Sequence, residues 1–183
     1  WKTTSAGLAT GSCTAGSNQP GCGWKWIASA LSPTNNVPTT RRFRSSPYNI
    51  GISPTDINRI AVGAASGFVD VTTNGGASWA DLNVVAALPG FNGFISNVTW
   101  QDNQTLWITG TELNPNVTRV VKATIANPGA SWTTATFTAM QSGLPDLPVS
   151  RIYFDPRDAS RKTIYAATHV GLYRTTNGGG SWA

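Results

Sequence analysis

The stretch Thr72-Thr73-Asn74-Gly75-Gly76-Ala77-Ser78-Trp79 returns almost letter for letter as Thr175-Thr176-Asn177-Gly178-Gly179-Gly180-Ser181-Trp182. A worn copy, Ile125-Ala126-Asn127-Pro128-Gly129-Ala130-Ser131-Trp132, lies between them. The tryptophans of the three copies stand 53 and then 50 residues apart. Self-similarity at that period marks a repeat architecture and outranks any element-by-element reading. Asn-Gly and Gly-Gly call for a turn at positive φ, which glycine adopts freely. The Thr hydroxyl and the Asn carboxamide two residues later can bond the turn's own amides. The Trp that follows then buries a large ring beside the turn. Each copy therefore reads as a self-capped hairpin corner.

The pattern Ser/Thr-x-Asp/Asn-x-Gly-x-x-Trp resembles the Asp-box (BNR) repeat of sialidase-like and related β-propellers. Thr72, Asn74, Gly76 and Trp79 fill it, as do Thr175, Asn177, Gly179 and Trp182, with Asn replacing the more usual Asp. The middle copy keeps Asn127, Gly129 and Trp132 and has Ile125 where the hydroxyl belongs. Ser17, Gly21 and Trp24 give a further, partial match. In that family the box sits on the blade periphery, so it speaks for the fold and little for chemistry. The run from Asp155 to Gly179 looks like three of its groups: xyloglucanase-type glycoside hydrolases, sortilin-type propellers, and propellers related to photosystem II assembly factors. The resemblance implies an extracytoplasmic propeller that presents loops to a polymer or a protein.

The rhythm of the chain agrees. Short apolar runs at Arg59 to Ala64, Phe68 to Thr72, Val149 to Phe154, Thr163 to Thr168 and Leu172 to Thr176 read as strands. Pro54 and Pro156 stand 102 residues apart, two repeat lengths, so the turn before each second strand repeats as well. Four strands per unit of about 50 residues is the size of a propeller blade. Helical periodicity is absent. The expected fold is all-β, with residues 46–183 forming three propeller repeats that are part of a larger propeller, since about four to eight blades close a ring. Residues 1–45 read as an irregular insertion decorating the first blade. The remainder of the ring, or another subunit, is the first expected partner.

Of 183 residues, 40% are hydrophobic and 11% charged, which is not a disordered composition. No apolar run approaches the roughly 18 residues that span a bilayer. The net charge of +5 is concentrated by Arg41, Arg42 and Arg44, a cluster too local to suggest a nucleic-acid surface. Cys13 and Cys22, nine residues apart in a Gly/Ser/Thr-rich stretch, read as a small disulfide-closed loop and hence a secreted, periplasmic or cell-surface setting. Two cysteines and one histidine make no four-ligand metal site, and no glycine loop opens a helix, so neither metal nor cofactor is expected. Asn97, Asn103 and Asn116 each begin an Asn-x-Thr sequon, relevant to a eukaryotic secretory source.

The carboxylates are few. Asp56 and Asp158 occupy one place in two repeats and read as turn caps; Asp155 sits in the same turn. Asp70 and Asp81 flank a box and belong to strands. Asp102, Glu112 and Asp146 remain as loop acids that can face a cleft, and glycoside hydrolysis needs two carboxyls roughly 5 to 9 Å apart. Arg151-Ile152-Tyr153 stands where sialidases often have Arg-Ile-Pro, and the missing proline argues against that activity. His169, the one histidine, falls in a turn. Trp100 and Trp107 lie in strand patterns, whereas Trp24, Trp26 and the arginine cluster are candidate contacts for a sugar or a protein. The reading that follows is a binding or scaffold propeller for a protein or polysaccharide; the alternative is part of a polysaccharide-degrading, xyloglucanase-like glycoside hydrolase with its catalytic acids partly in missing blades.

Overall fold

The computed structural model describes residues 2, 3, 24, 25, 45–82, 84–88, 91 and 94–183. Cys13, Cys22, Trp26, Arg41, Arg42 and Arg44 lie outside the described residues. Trp24 is described in its backbone alone, in β2. A two-stranded ribbon pairs β1 (Lys2–Thr3) with β2 (Trp24–Lys25).

Three antiparallel sheets follow, one per sequence repeat. The first orders β3 (Pro47–Ile52), β4 (Ile60–Ala64), β5 (Val69–Thr72) and β6 (Ala80–Asp81). The second orders β7 (Ile95–Trp100), β8 (Thr105–Gly110), β9 (Val120–Thr124) and β10 (Thr136–Ala139). The third holds β11 (Val149–Phe154), β12 (Ile164–Thr168) and β13 (Gly171–Thr175). Ala183 exchanges two backbone hydrogen bonds with Arg174, which places it beside β13 where a fourth strand starts in the other sheets. One helical turn, α1 (Val84–Ala87), interrupts the first blade-to-blade connection. Each sheet is a meander, so every blade is a local folding unit and the sequence period becomes a spatial one.

The blades stack through two apolar layers. Val71, Ile95, Val98, Leu106 and Val121 belong to a core between the first and second sheets. Trp107, Val120, Ile152, Ile164 and Trp182 form another between the second and third. The two faces of β8 divide between them: Leu106 and Ile108 in the first layer, Trp107 in the second. Such a strand needs a continuous apolar run, which Leu106-Trp107-Ile108 supplies.

The boxes have the anticipated turn. Thr72 Oγ1 accepts from the amides of Asn74 (3.3 Å) and Gly76 (3.0 Å), and Asn74 Oδ1 accepts from the Ser78 amide at 2.9 Å. Thr175 and Asn177 repeat the set at 3.3, 3.1 and 3.0 Å. Gly75, Gly76, Gly178 and Gly179 all have φ between +68° and +94°, where a Cβ would be strained. The middle copy departs from this. Asn127 Oδ1 accepts from Gly129 instead, and Trp132 begins a 3-10 turn (Trp132–Thr134), so β10 starts four residues after the Trp rather than beside it. The cause is local: Ile125 has no hydroxyl, and Pro128 has no amide hydrogen.

Candidate functional site

The first strands of the three blades, β3, β7 and β11, lie side by side and run in one direction. Trp100 Nε1 donates to the Gly51 carbonyl at 3.2 Å, and Asn49 Nδ2 donates to the Ile95 carbonyl. On the other side, Thr99 Oγ1 reaches the Ile152 carbonyl and Asn97 Oδ1 accepts from the Ile152 amide at 3.3 Å. Adjacent inner strands thus satisfy each other's backbone groups through side chains, not through a ladder. The same bulge recurs near the start of each: between Pro47 and Asn49, Ile95 and Asn97, and Val149 and Arg151. A bulge re-aims the side chain that follows it. Asn49 and Asn97 are spent on the next blade. Arg151, at the equivalent place, is exposed and its side chain makes no hydrogen bond to any described residue.

Above β7, between β3 and β11, is an open cavity of about 510 Å³. Ile50 and Ile52 line one side, Thr99 the middle, and Arg151 and Tyr153 the other, with the turn carrying Asp155, Asp158 and Arg161 at one end. That end is also the box end, because the Gly75 amide donates to Asn58 and the Gly178 amide to Lys162, both at 3.0 Å. Ile50, Ile52 and Tyr153 are each more than half exposed. Arg161 lies 5.9 Å from the Phe154 ring centroid, a cation–π distance.

The carboxylates of this cavity are occupied. Asp155 takes a two-pronged pair from Arg157 (3.0 and 2.9 Å) and a hydrogen bond from the Tyr165 hydroxyl at 3.3 Å. The Arg157 side chain and amide pull its pKa down to about 2. Asp158 accepts from the Ser160 hydroxyl (2.6 Å) and from the amides of Ser160, Lys162 and Thr163. Hydrogen bonds from Ser160 and Thr163 hold its carboxyl well below the usual carboxylate range. A general acid for glycoside cleavage needs the opposite shift, toward a protonated form near neutrality.

The loop acids are not brought together as a set. Asp102 is in the turn between β7 and β8, capping the Gln104 amide at 2.7 Å. Glu112 and Asp146 are beyond the other end of β8, whose six residues span roughly 17–20 Å at a strand's rise. That exceeds a hydrolase pair's roughly 5–9.5 Å. Glu112 Oε1 accepts from the amides of Leu113 and Asn114. Asp146 accepts from the Asn116 amide at 2.9 Å and pairs with Arg119. These two contacts, the Asn116 bond first, lower its pKa. Arg119, 2% exposed, also donates to the carbonyls of Glu112, Asn114 and Val117, binding the 111–119 loop to the segment before β11. All three acids thus have local hydrogen-bonding roles.

Asp56 caps the Asn58 amide, His169 is exposed in the β12–β13 turn, and Asp70 lies opposite Asp81 across β5 and β6. Trp100 and Trp107 are buried. Among the described residues no group of three His, Cys, Asp or Glu is placed to hold a metal, and no helix is long and apolar enough to cross a membrane. Arg151 and Tyr153 were not among the candidate site residues. The signal that finds Arg151 is the repeat: Asn49 and Arg151 each stand five residues before the repeated proline.

No protein-family model and no curated protein matches the chain. Among solved structures, it is similar to YCF48 bound to D1 peptide, with 20% identity and a TM-score of 0.54 over 80% of this chain and 40% of that one. It is similar to the GH74 enzyme of Niastella koreensis at 16% identity and a TM-score of 0.54, over 75% of this chain and 22% of that one. Dihydro-heme d1 dehydrogenase NirN aligns at 12% identity and a TM-score of 0.50, over 73% and 26%. The chain thus spans less than half the length of each. Proteins of such different chemistry share the architecture, so the likeness carries the fold and leaves function to the site. The chain has the fold of part of a β-propeller, that of the photosystem II assembly factor and GH74 propellers, as its Asp-box resemblance implied.

Proposed function

We propose that this chain is an extracytoplasmic binding module whose inner-strand cavity takes an extended polypeptide segment. The observation that carries it is the pairing of an unspent guanidinium, Arg151, and an exposed ring, Tyr153, with carboxylates already locked into their own turn. Ile50 and Ile52 across the cavity offer apolar contact, and exposed aromatic and Arg side chains are the groups that most often anchor partners. A solved propeller of similar fold holds a peptide, which supports the reading by analogy. Three blades of a larger propeller suit this role. The exposed Val170, in the β12–β13 turn, and Leu172, on β13, are suited to burial by further polypeptide.

The alternative, part of a polysaccharide-degrading hydrolase, is supported by the GH74 likeness and opposed by the lowered pKa values of Asp155 and Asp158. A phage-displayed random peptide library panned on the 183-residue chain tests the proposal. Enriched peptides should lose at least tenfold in affinity to R151A/Y153A, while xyloglucan incubated with the chain releases no reducing ends. No enrichment over a bare surface, or xyloglucan cleavage, would overturn it.

A further inference from the structure

Three Asn-x-Thr sites exist in the sequence, and the fold treats them differently. Asn97 is 8% exposed, and its carboxamide oxygen accepts from the Thr99 hydroxyl at 2.6 Å and from the Ile152 amide of the next blade. Asn103 sits between blades as well. Its carboxamide oxygen accepts from Ser53 (2.7 Å) and Thr55 (2.9 Å), and its carbonyl accepts from Arg59. A sugar on Asn97 would have to occupy the packed contact of two inner strands, and one on Asn103 would crowd the clasp between the first two blades.

Asn116 differs on each count. It is exposed, at the tip of the loop joining β8 to β9, with a left-handed φ of 60° that asparagine tolerates. Its side chain makes no hydrogen bond to any described residue, and neither does the hydroxyl of Thr118. The backbone beneath is fixed by the Asn116 amide bond to Asp146 and by Arg119, so modification of the carboxamide disturbs no contact.

We infer that Asn116 is the position at which this fold accepts an N-linked glycan. In the transfer, the Asn116 carboxamide nitrogen bonds to the anomeric carbon of an oligosaccharide carried on a lipid pyrophosphate. The anomeric carbon–oxygen bond breaks, and the lipid pyrophosphate leaves with the amide proton. The site is at the end of β8 away from the boxes, so a glycan there leaves the inner-strand cavity open. The inference needs passage through a eukaryotic secretory pathway and is otherwise independent of the proposed ligand.

The test is secretion of the full chain from mammalian cells behind a signal peptide, with site occupancy read by mass spectrometry after peptide N-glycosidase treatment. Soluble chain from the lumen and the medium is pooled. Wild type should carry one glycan, absent from N116Q and T118A, kept in T118S, and unchanged in N97Q and N103Q. A soluble chain bare at Asn116, or one carrying its glycan at Asn97 or Asn103, would overturn the assignment.

Discussion

The guanidinium of Arg59 in the first blade donates to the carbonyl of Pro128, inside the worn box of the second, at 2.7 Å. The same group reaches the Asn103 carbonyl at 3.2 Å and pairs with Asp56 at 3.1 Å. Pro128 stands where Gly75 and Gly178 donate amides to the preceding turn, and it has no amide to give. The side chain of Gln104 contributes too, donating to the Ala126 carbonyl at 3.2 Å. The degenerate box is thus held from outside at its carbonyls, whereas the intact boxes cap their own amides.

Arg59→Met should therefore lower stability by about 1.5–3 kcal/mol, the range for losing hydrogen bonds made by a charged group. Arg59→Lys should recover only part of it, because an ammonium cannot span Asp56, Asn103 and Pro128 in one plane. Urea unfolding of the two variants measures both. Equal midpoints for Arg59→Met and wild type would show that the clasp contributes nothing.

For the intact boxes, Asn74→Ala and Asn177→Ala should each cost about 0.5–2 kcal/mol, the range for losing a side-chain cap. Asn74→Asp should be close to neutral. The carboxylate keeps the acceptor for the Ser78 amide, and the Ser78 hydroxyl, which now accepts from Asn74 Nδ2 at 2.8 Å, can turn to donate. Thermal melts of the three variants decide it, and peptide binding should be unchanged in all of them.

Gly179 supplies a sharper case. Its φ is +87°, and a Cβ there would come 2.5 Å from Trp107 Cη2 of the neighbouring blade. Gly179→Ala should cost about 1–3 kcal/mol through backbone strain and displacement of the Trp107 ring. Gly178, with nothing nearer than 3.9 Å, meets the backbone penalty alone. The difference between the melts of G179A and G178A isolates the packing term.

Much of this was legible in the sequence, and the reason is the repeat. Strand limits at Val149–Phe154 match the expected run, and the other four expected strands shift by one residue, because turn chemistry and apolar runs are local properties. Asp56 and Asp158 were readable as caps for the same reason. The inner-strand cavity was not. It depends on how far each blade rotates against the next, a sum of packing contacts that no single segment encodes. Arg151 carried a usable signal only through its alignment with Asn49, since by itself it is one more polar residue on a strand. The separation of Asp102 from Glu112 and Asp146 was equally beyond reach, because it depends on β8 lying between them.

The acid limb of stability should report the β11–β12 turn. Asp155 has a folded pKa of about 2, below its ordinary 3.8, with the Arg157 side chain as the largest cause, and Asp158 is lowered as well by Ser160 and Thr163. A group whose pKa falls on folding stabilises the native state above its unfolded value. That contribution is lost as pH drops toward the folded value. Wild type should thus hold its midpoint from pH 7 to about pH 4 and lose stability steeply from there to pH 2. Asp158→Asn keeps one acceptor oxygen but puts an amide group where Oδ2 receives Lys162 and Thr163, or Oδ1 receives Ser160. It should be less stable at pH 7, and the gap to wild type should narrow by pH 2, where the native carboxyls begin to take up protons. Parallel denaturation curves for the two proteins would expose the error in this account if they kept a constant separation across that range.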